Sequence, residues 1–189
     1  GIKVYLFDDL RPTPECSFAI RHFKAQGGVN ITASHNPREY NGYKAYWDDG
    51  AQVLAPHDKG IINQVNQVKI EDVLFKGNKN LIEIIGEDVD KAYLNMVKTV
   101  CIDPDVIKRQ HNLCIVYTPL HGAGRVIIPR SLQEWGFTNV HCVKEQMVKD
   151  GNFPTVDRPN PEIAEALTLG LRDAKALDAD ILMASDPDA

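Results

Sequence analysis

Between residues 113 and 185 the chain alternates apolar runs with helical patterns. LCIVY (113–117), VHCVKEQ (140–146) and DILMAS (180–185) read as strands. GRVIIPRSLQEWG (124–136), with a potential kink at Pro129, and EIAEALTLGLRDAKALD (162–178) read as the helices between them. Strands separated by helices of this length imply parallel βαβ units. The turn-rich stretch KDGNFPTVDRPNP (149–161) is a long loop within this alternation.

The preceding half follows similar rules. KVYLF (3–7) reads as a buried strand, and CSFAIRHFKAQ (16–26) as a helix that Gly27 and Gly28 stop. VNITA (29–33) is a second strand that delivers Ser34 to a loop. YKAYW (43–47) and AQVL (51–54) read as a hairpin around Asp48-Asp49-Gly50. Residues 57–69 form a helical pattern with Ile61, Ile62, Val65 and Val68 on one face. KGNKNLIEIIGE (76–87) has little periodicity and marks a boundary. A helix over 88–100 follows, with Asp88 or Asp90 near its start.

A net charge of −5 argues against duplex nucleic acid as a partner. No run approaches the ~18 apolar residues of a membrane helix. The opening GIKVYLFDDL lacks the basic-then-apolar pattern of a secretory signal, and it has no initiator Met. It reads as the interior of a longer protein. Cys16, Cys101, Cys114 and Cys142 form no C-x-x-C pair, and buried reduced thiols in a cytoplasmic protein are the expectation.

Two strand ends carry chemistry-bearing residues. ILMASDPDA places Asp186 and Asp188 directly after an apolar strand, where ligands of open α/β sheets sit. Alternating carboxylates there suit a hard cation such as Mg²⁺, although Asp-Pro is also a common turn. ITASHNPREYNGYK (31–44) places Ser34, His35, Asn36 and Lys44 after another strand. A serine and an Asn-Pro pair also serve as turn formers, with His35 and Lys44 as solvated surface groups. A serine nucleophile, however, needs a base or a metal to activate it, and a phosphoserine needs a cation nearby.

TASHNP followed by NGYK resembles the active-site loop of the α-D-phosphohexomutase superfamily, the phosphoglucomutases, phosphomannomutases and their relatives. DPDA resembles the start of that family's Asp-x-Asp-x-Asp-Arg metal loop. PTPE (12–15), WDDGAQVLAPHDKGI (47–61), YTPLHGAG (117–124) and DGNFPTVDRPNPE (150–162) resemble the longer phosphoglucomutase and phosphopentomutase branch. The resemblance implies two α/β domains with mixed or parallel sheets, the first one incomplete. Residues 1–80 would be the C-terminal part of domain I, and 81–189 domain II ending in a truncated metal loop. It implies a phosphotransferase of the isomerase class that carries phosphate on Ser34. Ser34, Lys44 and His35 would be catalytic, with Asn36 and Lys44 holding phosphate. Ser34, Asp186 and Asp188 would be the Mg²⁺ ligands. Sugar phosphates would be the substrates and a sugar bisphosphate the activator, in a cytoplasmic monomer or homodimer free of nucleic acid and membrane. Glucose, mannose and pentose phosphates stay open, because the sugar-selecting loop of the family is not in this sequence. So does activity of this piece alone, which is expected to be absent.

Two other classes fit part of the sequence. A phosphatase of the haloacid-dehalogenase type would use Asp186 as nucleophile and leave TASHNP unexplained. A non-catalytic sugar-phosphate binding module would carry no phosphoserine. His121, in TPLHGAG, either faces an anion or packs at a domain interface. Asp157, Arg158 and Arg125 read as loop and surface structure.

Overall fold

A computed structural model describes residues 1–189. The first half builds two small sheets. Strand β1 (Val4–Phe7) pairs in parallel with β4 (Ile82–Ile85), and β2 (Gly27–Ile31) pairs antiparallel with β3 (Tyr43–Trp47). Helix α1 (Thr13–His22) packs against β2, and α2 (His57–Gln67) follows β3. The second half is a parallel sheet in the order β6 (Val140–Cys142), β5 (Ile115–Thr118), β7 (Ile181–Ala184). Helices α3 (Glu87–Lys98), α4 (Pro104–Arg109), α5 (Gly124–Trp135) and α6 (Thr168–Ala176) accompany it. This is the mixed α/β class with parallel βαβ units that the alternation implied. All four residues of β5 are buried because strands flank it on both sides.

Several elements differ from the sequence reading. Helix α1 begins at Thr13, with Pro14 in its first turn, and ends at His22. Gly27 and Gly28 do not cap it but open β2. A Cβ on Gly28 would lie 2.5 Å from Ile20 Cδ1, so the bare backbone lets strand and helix approach. The expected return strand after β3 shrinks to one bridge, Tyr46 to Gln52. No residue of α2 is buried, and Ile62 and Val65 are exposed. The aperiodic stretch before α3 contains β4, whose Val4–Ile82 to Phe7–Ile85 register joins it to the first sheet. The expected strand 140–146 ends at Cys142 and continues as a 3₁₀ turn over Lys144–Gln146. The last helix likewise starts as a 3₁₀ turn, Ala164–Leu167. The four cysteines are free, and half-buried rather than fully buried. No helix is long and apolar enough to cross a membrane.

The two halves meet on charged groups. Arg11 binds Asp90 of α3 through both carboxylate oxygens, at 2.7 and 3.0 Å. Asp9 accepts Arg125 Nη2 at 2.5 Å and also pairs with Lys149. The Lys149 bond, helped by the Leu10 amide and the charge of Arg125, holds the Asp9 carboxyl down at about 2. Glu15, on α1, is fully buried, and no donor reaches either carboxylate oxygen. Its polar neighbour is the buried carboxylate of Asp90, an acceptor, so a hydrogen bond between them requires a proton. Burial first, and then Asp90, push the Glu15 carboxyl up to about 8 against the opposing charges of Arg11 and Arg130.

This predicts an unusual stability profile. The folded-state value lies above the ordinary carboxyl value of 4.5. Glu15 therefore contributes fully below pH ~4.5, and its contribution is lost as pH rises toward ~8, at about 1.4 kcal/mol per pH unit. Glu15→Gln keeps the shape of the protonated acid and removes the titration. Urea unfolding from pH 5 to 8 is expected to show wild-type stability falling relative to Glu15→Gln. Parallel profiles would disprove a protonated Glu15.

Candidate active site

The loop after β2 brings the serine to the other half of the chain. Ser34 has a left-handed backbone, φ 56°, and its amide donates to Thr32 Oγ1 at 2.9 Å. Its half-buried hydroxyl donates to Asp186 Oδ2 at 2.5 Å, across 152 positions of sequence. Nδ1 of the exposed His35 stands 3.3 Å from Ser34 Oγ and 3.7 Å from Asp186 Oδ2. Asn36 is exposed, and its backbone amide closes the turn onto Ala33 O at 3.1 Å.

A second group adjoins it. In the β2–β3 ladder Lys44 faces Asn30. Lys44 Nζ donates to Asp188 Oδ2 at 2.7 Å, Thr32 Oγ1 to Asp188 Oδ1 at 2.7 Å, and Thr13 Oγ1 to Asp188 Oδ2 at 3.2 Å. Asn30 Nδ2 supports Thr13 Oγ1 at 2.7 Å, and the Thr13 amide donates to the Asp188 carbonyl at 2.8 Å. Burial alone would raise the Asp188 carboxyl. The Lys44 and Thr32 bonds, the Lys44 charge and Thr13 outweigh it and hold the group below the ordinary carboxylate range. Thr32 connects the two groups, since it accepts from Ser34 and donates to Asp188.

All of Ser34, His35, Lys44, Asp186 and Asp188 thus converge. Asn36 is on the same loop without a side-chain bond to them. Sequence reading missed Thr13, Asn30 and Thr32. No local pattern sets Thr13 and Thr32 apart, because the carboxylate they donate to lies 175 and 156 positions away. His121 is buried and bonded to Val148 O and Thr155 Oγ1, which places it between loops of the second half. Arg125 is more than surface structure, since it joins the halves through Asp9. Asp157 and Arg158 are exposed.

The donors at this site, two carboxylates and a serine oxygen, are hard oxygens of the kind Mg²⁺ takes. No group of three or more His, Cys, Asp or Glu side chains is gathered as a metal cluster. Asp188 is committed to Lys44 and two hydroxyls, which leaves Asp186 as the carboxylate in contact with Ser34. An open groove of about 1470 Å³ runs between β1 and β2, lined by apolar strand residues such as Leu6 and Val29, and its lining also includes Ser34, Asn36, Lys149 and Asp188.

Residues 1–71 match the family model described as phosphoglucomutase/phosphomannomutase, alpha/beta/alpha domain I, and residues 91–189 match that for domain II. The chain belongs to the phosphoglucomutase/phosphomannomutase family. It is 38% identical to human phosphopentomutase over 196 aligned positions, covering all of this chain and 32% of that protein. Identity to a Staphylococcus haemolyticus phosphoglucomutase is 39%, covering all of this chain and 34% of the relative. A phosphomannomutase-type protein from Thermus thermophilus superposes with a TM-score of 0.82 at 28% identity, over all of this chain and 40% of the other. The Paramecium phosphoglucomutase pp63/parafusin shares the fold, with a TM-score of 0.72 at 19% identity, over all of this chain and 39% of the other. The chain spans about a third of the length of the curated relatives it matches.

Proposed function

We propose that this chain is the phosphoserine-bearing part of a sugar-phosphate mutase, with phosphoglucomutase chemistry as the first reading. Phosphate would pass from Ser34 to a sugar monophosphate, and the other phosphate of the resulting bisphosphate would return to Ser34. The exchange links the anomeric hydroxyl with the 6-hydroxyl, or the 5-hydroxyl of a pentose. Mannose and pentose phosphates are the alternatives within the same chemistry, and relatives bear all three names.

The observation that carries this reading is the contact of Ser34 Oγ with Asp186 Oδ2, beside the Lys44–Asp188 pair. A serine oxygen facing a carboxylate is a poor place for a phosphate unless positive charge joins it. Lys44 lies one hydroxyl away, through Asp188 and Thr32. Mg²⁺ held by Asp186, Asp188 and a Ser34 oxygen would neutralise phosphoryl charge. Asp186 accepts a hydrogen bond from the Ser34 hydroxyl when Ser34 is unmodified. Lys44 offers a cation and a proton donor to oxygens approaching Ser34, while Thr32 and Thr13 hold Asp188 so that Lys44 stays in reach.

The test is an assay of the full-length protein on glucose, mannose and ribose phosphates, with phosphopeptide mapping after labelling by a sugar bisphosphate. Label is expected on Ser34. Label on Asp186 instead would favour a phosphatase, and no label with no turnover would favour a binding module. In the same assay Lys44→Ala is expected to lower kcat by roughly 10²-fold, the scale of a positioned acid–base group, with folding retained. Near-normal turnover would return Lys44 to a structural partner of Asp188.

A further inference from the structure

His121 is almost fully buried, yet it forms no hydrogen bond with Ser34, Asp186 or Asp188. Its surroundings define where each proton lies. Val148 O is an acceptor only, so His121 Nδ1, 2.7 Å away, carries the hydrogen and donates it. Thr118 Oγ1 donates to Gln146 Oε1 at 2.6 Å, which orients the Gln146 amide. Gln146 Nε2 then donates to Thr155 Oγ1 at 3.0 Å, and the Thr155 hydroxyl is left to donate to His121 Nε2 at 2.8 Å. The backbone amide of His121 donates to Gln146 O at 2.9 Å. Thr118 and Gln146 are fully buried, so this chain of bonds has no water to fall back on.

The backbone held by this network is unusual. Leu120 and His121 both sit in the left-handed region, at φ 46° and 66°, which side chains other than glycine rarely adopt. Their turn points the next two residues at the loop between the two site carboxylates. The Ala123 amide donates to Pro187 O at 2.9 Å. A Cβ on Gly122 would stand 2.3 Å from Pro187 Cα, so backbone lies directly on backbone there.

We propose that His121 is a positioning residue for the Asp186–Asp188 loop. Its ring clamps the 148–155 loop onto residues 119–123, which holds that strained turn in place and presents Gly122 and Ala123 to Pro187. Asp186 and Asp188 flank Pro187, so the clamp sets the distance of both carboxylates from Ser34 and Lys44. The consequence for turnover rests on the mutase reading above; the clamp itself does not.

The test uses two variants. His121→Ala removes both ring bonds, whereas His121→Asn retains a side-chain amide that can donate to Val148 O. Hydrogen exchange on the full-length protein reads the proposed contact directly at the Ala123 amide. In His121→Ala that amide is expected to exchange ~10-fold faster or more, with the amides within β5 unchanged, while His121→Asn restores protection within ~3-fold. Unchanged Ala123 protection in His121→Ala with β5 intact would overturn the proposal. If the alanine variant opens globally, the asparagine variant decides: restored protection at Ala123 supports the clamp, and selective loss there refutes a role for the Nδ1 donor. In the full-length protein, kcat is expected to fall roughly 10- to 100-fold in His121→Ala, with KM for the sugar phosphate within ~3-fold and partial rescue by asparagine. A protein with no mutase activity in any form would remove the functional reading and leave the exchange result standing.

Discussion

Replacing Ser34 by alanine in the full-length protein is expected to reduce mutase turnover by roughly 10³-fold or more, with no phosphate detectable at that position in intact-mass and peptide analysis. The expectation rests on what the side chain touches. The Ser34 hydroxyl is in direct contact with Asp186 Oδ2, at 2.5 Å, and it is held there by a loop that crosses to the other half of the molecule. The backbone does not depend on that hydroxyl: the left-handed turn is fixed by the Ser34 amide on Thr32 Oγ1 and the Asn36 amide on Ala33 O. Alanine in a left-handed conformation adds a strain of about 1 kcal/mol relative to residues that tolerate it better, too little to unfold a domain. Loss of turnover with a thermal midpoint lowered by only a few degrees is therefore the predicted pattern. Normal turnover in the alanine variant, with no phosphate on wild-type Ser34, would end the phosphoserine reading.

The grouping of the candidate site residues was more legible in the sequence than the element limits around it, for a physical reason. Ser34 and Asp186 each follow an apolar strand directly, and strand ends in α/β sheets are where loops converge. The parallel alternation of the second half was legible because β5 is buried on both faces and reads as a continuous apolar run. Helix and strand limits were less so. The double glycine at 27–28 looks like a helix stop from local propensity, but its use is tertiary, since Ile20 needs the space that a side chain on Gly28 would fill. Strand β4 was hidden because IEII at 82–85 has no partner within reach in sequence; β1, which pairs with it, lies 78 positions earlier at Val4–Ile82. Thr13 and Thr32 were hidden for the same reason. Nothing local marks a threonine as a donor to a carboxylate 175 or 156 residues away.

Asp188 is where the second large effect is expected. The resemblance assigns it to metal, whereas its bonds describe a latch between the halves. It accepts Lys44 from β3, Thr32 from the serine loop and Thr13 from the start of α1, all within 3.2 Å. Both roles predict loss of activity, so a turnover measurement alone cannot separate them. Asp188→Ala in the full-length protein is expected to lower kcat by roughly 10²- to 10³-fold, because Lys44 loses its anchor and one carboxylate leaves the site. Stability separates the roles. Loss of the latch removes an ion pair and two hydroxyl bonds to an ionised carboxylate, and about 2–3 kcal/mol of unfolding free energy should be lost even in metal-free buffer. A residue that serves only as a metal ligand would cost stability when the cation is present and little without it. A double-mutant cycle with Lys44→Ala then isolates the pair: the double variant should be less unstable than the sum of the singles by about 1 kcal/mol or more. Additive losses would mean that Lys44 and Asp188 do not support each other. Metal-free stability equal to wild type in Asp188→Ala would mean that the contacts to Thr13, Thr32 and Lys44 hold nothing together.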